Sequence, residues 1–248
     1  MARQARQKSE SGIYHVMMRG INKQAIFHDE EDYVRFIKVI KKAKQASQFE
    51  LYAYCLMPNH IHMLIRETEE PLSKIIKRIG CSYVYWYNIK YTRVGHLFQD
   101  RYRSEPVETD EYFLAAVRYI HQNPVKAEIV QQCSNYKYSS FNKYLTSDDL
   151  INKDYTFSII SENLFKTFHQ QDEKKEFIDI TDVQKRVSDE MALKIYNELT
   201  NYCEQNAFKK IDKSERNKMI SQMKKRGLTG RQIIEITGLS RSLIESVK

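Results

Sequence analysis

Pro58-Asn59-His60-Ile61-His62-Met63-Leu64-Ile65 opens on a turn signal and runs on as an apolar strand. Proline followed by asparagine favours a chain reversal. The aromatic, apolar run Phe49–Met57 lies on the other side of that turn and His60–Arg66 follows it, so the two are read as strands. Side chains alternate along a strand, which sets His60 and His62 on one face and sends Ile61 into a core. Two adjacent imidazoles are half a coordination shell for a divalent metal. The competing reading is a pair of polar residues on a half-exposed strand. A position at the start of a strand, after a turn and at a sheet edge, favours a site.

Working outward, Gly12–Arg19 is short and β-leaning, and Gly20–Asp29 reads as a loop. Glu30–Ala46 carries Tyr33, Phe36, Ile37 and Ile40 at helical spacing, with acids first and lysines last, as the helix dipole favours. Pro71–Tyr91 is expected to be a long helix with Ile75, Ile76, Ile79, Val84 and Trp86 on its apolar face. His96–Val107 is expected to be extended. Thr109–Gln122 is expected to be a helix capped by Thr109 and ended by Pro124. The order β-α-β-β-α-β-α predicts an α+β fold: a ferredoxin-like, mostly antiparallel sheet with flanking helices. Residues 125–150 are expected to wrap this domain, and the content turns helical from about residue 151. No glycine or proline occurs from Val125 to Arg226, which favours helix and ordered connection.

The bulk properties limit the classes. The chain has 248 residues, 42% hydrophobic and 29% charged, and no apolar run long enough to span a membrane. Met1–Ser11 is basic and polar, without the apolar centre of a signal peptide. Cys55, Cys81, Cys133 and Cys203 are scattered, as expected of free thiols in a cytoplasmic protein. Residues 1–147 hold 22 Lys and Arg against 15 Asp and Glu, and residues 207–248 hold 11 against 4. Between them, residues 148–206 hold 7 against 13. Two basic blocks around an acidic one suggest two surfaces for a polyanion, although an ordinary solvated surface has the same composition.

Arg118-Tyr119-Ile120-His121-Gln122-Asn123-Pro124 adds a second constellation. Tyr119 and Asn123 are four apart and share a helix face. If that helix lies over the histidine strand, a phenol and an amide oxygen meet the two imidazoles. A tyrosine can attack phosphorus once its proton is removed or its oxygen aligned. Against this stands the number of tyrosines, 17, most of which must serve packing. His121 and Gln122 are alternative ligands to Asn123 but point elsewhere on the helix. The helix with Lys74, Lys77, Arg78 and Lys90, and the following Arg93, Arg101, Tyr102 and Arg103, mix cations with aromatics. That mixture suits a single nucleic-acid strand. Of Tyr83, Tyr85, Trp86 and Tyr87, at least half are expected to pack in the core.

Taken together and in this order, PNHIHMLI (58–65), GHLFQDRYRS (95–104) and RYIHQNPVKA (118–127) resemble the HUH single-tyrosine transposases, nearest to the REP-associated tyrosine transposases. The likeness covers roughly residues 11–145. It implies that His60, His62 and Asn123 bind Mg²⁺ or Mn²⁺, although zinc also suits imidazole. It implies that Tyr119 attacks a phosphate in single-stranded DNA, giving a 5′-phosphotyrosine and a free 3′-OH. DNA contacts are expected from Lys77, Arg78, Arg101, Arg103 and Arg118.

Thr229–Val247 reads as a helix, a glycine turn at Gly238 and a second helix capped by Ser240. This helix-turn-helix pattern would aim Arg231, Arg241 and Ser242 at duplex DNA, and a plain helical hairpin is the alternative. The expected organisation is a catalytic domain at 11–147, an acidic, mostly helical connector at 148–206 and a DNA-binding segment at 207–248. The leading function is metal-dependent cleavage and rejoining of hairpin-forming single-stranded DNA. A non-catalytic DNA-binding regulator, a relaxase and a rolling-circle initiator are the competing readings. Monomer and homodimer are both compatible with the sequence, and no membrane partner is expected.

Overall fold

β1 (Ile13–Arg19), β2 (Glu50–Met57), β3 (His60–Arg66) and β4 (Arg103–Pro106) form one sheet in the order β2-β3-β1-β4. Every neighbouring pair is antiparallel. With α1 (Glu30–Ser47), α2 (Leu72–Lys90) and α3 (Asp110–Lys126) the chain order is β-α-β-β-α-β-α, the ferredoxin-like pattern. The computed structural model describes residues 6–99, 101–146, 148–171, 177, 189–200 and 205–247. Cys203 and parts of the acidic connector lie outside the described residues.

The register assigns the faces. Met17 lies opposite His62, and Arg19 opposite His60, so His15, Met17 and Arg19 share a face with both histidines. Arg103 and Glu105 of β4 lie opposite Met17 and His15 and join that face. The other face carries Val16, Met18, Ile61, Met63 and Ile65, all buried. It packs under α1 and α2, where Met18 reaches Gly80. α3 lies against β2 and β3. Tyr83 and Tyr87 are buried while Tyr85 is exposed, so half of the aromatic run on α2 belongs to the core.

Local chemistry explains the helix ends. Asp29 and Asp32 form a capping box at the start of α1. Lys90, in the last turn of α2, reaches back to Asp29, Glu31 and the fully buried Asp32 at 2.8–2.9 Å. Thr109 caps α3 by accepting the Tyr112 N–H.

Three expectations need correction. Pro124 does not end α3, which continues to Lys126. The ring removes one N–H, but Ala127 and Ile129 still donate to the Asn123 and Pro124 carbonyls and close a further turn. The stretch 96–107 is strand only at Arg103–Pro106, with an isolated bridge between Phe98 and Gly20. β3 is an inner strand, not an edge, because β1 pairs along its open side.

Residues 138–140 run along the outer side of β2: Leu56 donates to the Tyr138 carbonyl and Ser140 to the Tyr54 carbonyl. Beyond them come the short helices α4 (Phe141–Tyr144), α5 (Asp154–Ile159) and α6 (Phe165–Phe168). This unit spans Met1–Asp179, and a second compact unit spans Ile180–Lys248. The second unit contains α7 (Asp189–Thr200), α8 (Gln205–Phe208), α9 (Lys213–Lys225), α10 (Gly230–Thr237) and α11 (Arg241–Ser246). They close over Tyr196, Phe208, Ile220, Met223, Ile233 and Ile244. Thr229 and Gln232 form a capping box for α10, and Gly238 ends it in the left-handed region, at φ +63. Ser240 precedes α11 without a side-chain cap; its hydroxyl meets Ser242 instead. No helix among the described residues is long and apolar enough to cross a membrane.

Candidate active site

His60 and His62 project side by side from β3, with ring centroids 5.1 Å apart. Tyr119, on α3, stands edge-on to His62 with centroids 5.6 Å apart. The helix therefore does lie over the histidine strand, and the Tyr119 ring meets His62 and, at 5.7 Å, His15 of β1. All four residues are buried.

Each histidine has a partner that orients its ring. His60 Nδ1 lies 2.7 Å from Asn59 Oδ1, and Asn59 Nδ2 donates to the Lys23 carbonyl at 3.3 Å. An amide oxygen only accepts, so His60 carries its proton on Nδ1 and keeps Nε2 basic. His62 Nδ1 lies 2.9 Å from Nε2 of His15. His62 Nε2 is buried with no hydrogen-bond partner among the described residues. Burial pushes the His62 pKa well below the ordinary value, and the neighbouring His15 and His60 push it further. Burial alone lowers His15 to about 3. These imidazoles are neutral near pH 7, the form that binds a metal.

Asn123 is buried one turn after Tyr119 and donates Nδ2 to the Tyr119 carbonyl at 2.9 Å. Among the described residues it makes no hydrogen bond to either histidine. Nor does any group of three His, Cys, Asp or Glu side chains there form a ready metal cage. A cation at His60 and His62 would take its remaining donors from an amide, water or phosphate oxygens. Two imidazoles on one face, with His62 Nε2 buried and without a hydrogen-bond partner among the described residues, fit that role.

His121 and Gln122 turn away from the site. His121 bonds His169 at 2.8 Å and Ser140 at 2.7 Å, and Gln122 Nε2 donates to the His169 and Gln171 carbonyls.

The expected DNA contacts fall in different places. Lys77 and Arg101 line one cleft of about 710 Å³ together with Arg6 and Arg19. Arg103 is exposed on the histidine face. Arg78 is paired with Glu70 and Ser47. Arg118 donates to the Phe168 carbonyl and Gln171 Oε1, and its guanidinium lies 4.3 Å from the Phe168 ring centroid. In the second unit, Arg231 and Ser242 are exposed, and exposed Arg241 pairs with Glu245 at 2.8 Å.

Three residues of the site escaped the sequence reading: His15, Phe177 and Lys126. Phe177 stacks on Tyr119 and stands edge-on to His15 at 5.9 Å. Lys126 Nζ lies 4.7 Å from the Tyr119 ring centroid. Lys126 sits seven residues after Tyr119, two helical turns on, a spacing that could have revealed it.

Comparison with known proteins agrees with this geometry. Residues 8–123 match the family described as Transposase IS200 like. A REP-associated tyrosine transposase of Escherichia coli (strain K12) is 26% identical over 106 residues, 42% of this chain and 61% of that protein. A Haemophilus influenzae protein (strain ATCC 51907 / DSM 11121 / KW20 / Rd), provisionally given the same designation, is 28% identical over 126 residues, 45% of this chain and 70% of its own. The solved structure of a REP-associated tyrosine transposase bound to a REP hairpin superposes with a TM-score of 0.52 at 21% identity. It covers 62% of this chain and 90% of that one. The sheet, α1, α2, most of α3, the histidine pair and Tyr119 thus lie in the segment, residues 8–123, that is similar to the family described as Transposase IS200 like.

Proposed function

We propose that this protein cuts and rejoins single-stranded DNA through a 5′-phosphotyrosine on Tyr119, with Mg²⁺ or Mn²⁺ held by His60, His62 and Asn123. The observation that carries this reading is the approach of the Tyr119 ring to His62, 5.6 Å between centroids, on the face that also presents His60. A cation there would polarise a phosphate oxygen and align the phosphorus. Tyr119 Oη forms the new bond to phosphorus and the bond to the 3′ oxygen breaks. The phenol gives its proton to solvent, and the leaving 3′ oxygen takes one up. Lys126, close to the Tyr119 ring, supplies positive charge beside the incoming phosphate.

The strand path follows the cleft. Arg6, Arg19, Lys77 and Arg101 line it with Phe98 and Tyr102, a mix of cations and rings that suits phosphates and unpaired bases. Met18 and α2 line the cleft from the sheet face opposite the histidines, and Arg19, which lies opposite His60 in the register, is its link to the catalytic side. A hairpin substrate is favoured by the superposable transposase, which was solved with one. Exposed Arg231, Arg241 and Ser242 on α10 and α11 would serve duplex DNA in a helix-turn-helix manner.

The test is covalent trapping. Labelled hairpin DNA with single-stranded flanks is incubated with the protein and Mn²⁺ or Mg²⁺, then resolved on denaturing gels and mapped by mass spectrometry. A metal-dependent adduct on Tyr119, lost in Tyr119→Phe with binding retained, is expected. Tight binding without any adduct would instead identify a DNA-binding regulator.

A further inference from the structure

His60 and His62 face the same side of the sheet but solve the placement of their protons differently. A neutral imidazole has one N–H and one basic nitrogen, and only the basic nitrogen can bind a cation. For His60, the Asn59 amide oxygen decides. For His62, the only hydrogen-bond partner of Nδ1 among the described residues is Nε2 of His15, 2.9 Å away. Both rings are fully buried, so water does not substitute for that partner.

Two proton arrangements join the pair. If His62 donates, its Nε2 is a lone pair and His15 holds its own proton on Nδ1. If His15 donates, the proton of His62 sits on Nε2 and blocks coordination. Counting hydrogen bonds does not choose between them: His15 Nδ1 and His62 Nε2 both lack partners among the described residues, and one of them carries the spare proton. A cation at His62 Nε2 does choose, because only the first arrangement admits it.

We infer that His15 is a positioning residue for the metal site, accepting the Nδ1 proton of His62 and so holding His62 Nε2 toward the cation. The inference rests on the reading of His60 and His62 as metal ligands. Partners of this kind orient ligating histidines and raise their basicity, and their loss typically weakens metal binding about 10- to 100-fold. His15 reaches the site only through the pairing of β1 with β3, which sets it diagonally from His62.

The experiment titrates Mn²⁺ alone, followed by electron paramagnetic resonance, into the full chain and two variants. His15→Leu keeps apolar bulk but offers no acceptor. His15→Gln can place an amide oxygen near the lost Nε2. The expected result is Mn²⁺ binding weakened about 10- to 100-fold in His15→Leu and largely restored in His15→Gln, with metal-free melting curves alike. Equal weakening in both variants, or wild-type binding by His15→Leu, would overturn the inference. If His15→Leu does not fold, ¹⁵N NMR of the wild-type histidine rings with Mg²⁺ decides: the His62 proton must sit on Nδ1, and finding it on Nε2 refutes the role of His15. Wild-type protein that takes up no Mn²⁺ removes the metal reading itself, and the inference with it.

Discussion

The ring of Phe177 stacks on the ring of Tyr119, with centroids 4.6 Å apart and planes 27° from parallel. Phe177 also stacks on Tyr112 at 5.2 Å, so two rings are piled over the proposed nucleophile. Tyr119 is only 3% exposed. A phosphate in a DNA strand cannot reach the phenol while that cover is in place. Phe177→Ala is therefore expected to speed adduct formation and to make Tyr119 more reactive toward nitration, both read by mass spectrometry. Unchanged nitration would show that other atoms shield the ring.

Lys126 offers a cation next to that ring. Its replacement by methionine keeps the length of the side chain and removes the charge. Cleavage in Lys126→Met should fall by about 10²-fold, the lower end of what losing one charge-stabilising group costs. DNA affinity should change little by comparison. Equal losses in binding and cleavage would mark Lys126 as an ordinary phosphate contact.

The site's turn depends on Gly20. Its N–H donates to the Asn59 carbonyl at 2.9 Å, and a Cβ there would lie 2.3 Å from the Gln24 carbonyl oxygen. Gly20→Ala must push the 20–24 loop away and loosen Asn59, which orients His60. Lower thermal stability and weaker Mn²⁺ binding are expected together. A variant with normal melting and normal Mn²⁺ uptake would show that the loop yields without disturbing the turn.

Acid should loosen the far side of α3. Ser140, His121, His169 and the Phe165 carbonyl form a buried relay with each link at 2.7–2.8 Å. Burial, opposed by the Phe165 carbonyl and aided by nearby Arg118, lowers His169 to about 4, and burial holds His121 well below its ordinary value. The unfolded chain takes up these protons below about pH 6.5, whereas the folded chain resists them. The stabilisation is full above that pH and is lost as pH falls toward 4. Melting temperatures between pH 7.5 and 4.5 should drop more steeply for wild type than for His169→Gln, which has no ring to protonate. Parallel curves would place the acid sensitivity elsewhere.

Much of the architecture was legible because it is written in local patterns. Helical spacing at Tyr33, Phe36 and Ile40, the Thr109 cap and the turn at Pro58-Asn59 act over a few residues, and these elements are found where expected. His60, His62 and Tyr119 were legible as a set because strand alternation and helix spacing bring them to facing surfaces. His15 was not, since a lone histidine in an apolar strand gains its meaning only from the register of β1 against β3. Phe177 lies 58 residues after Tyr119, and no periodicity links them. Arg78 and Arg118 looked like DNA contacts by charge, yet they are held by Glu70 and by the 168–171 segment, partners set by tertiary packing.

The segment 138–140 has a consequence for how copies of this protein can associate. By taking up backbone groups of Tyr54 and Leu56, it occupies part of the ladder that β2 would otherwise offer to a neighbour. On the opposite side stands β4, four residues long and ending in Pro106, which has no N–H to donate. Neither flank is a long open template, so end-to-end joining of sheets, the common route to fibrils and strand-exchanged pairs, has little to start from.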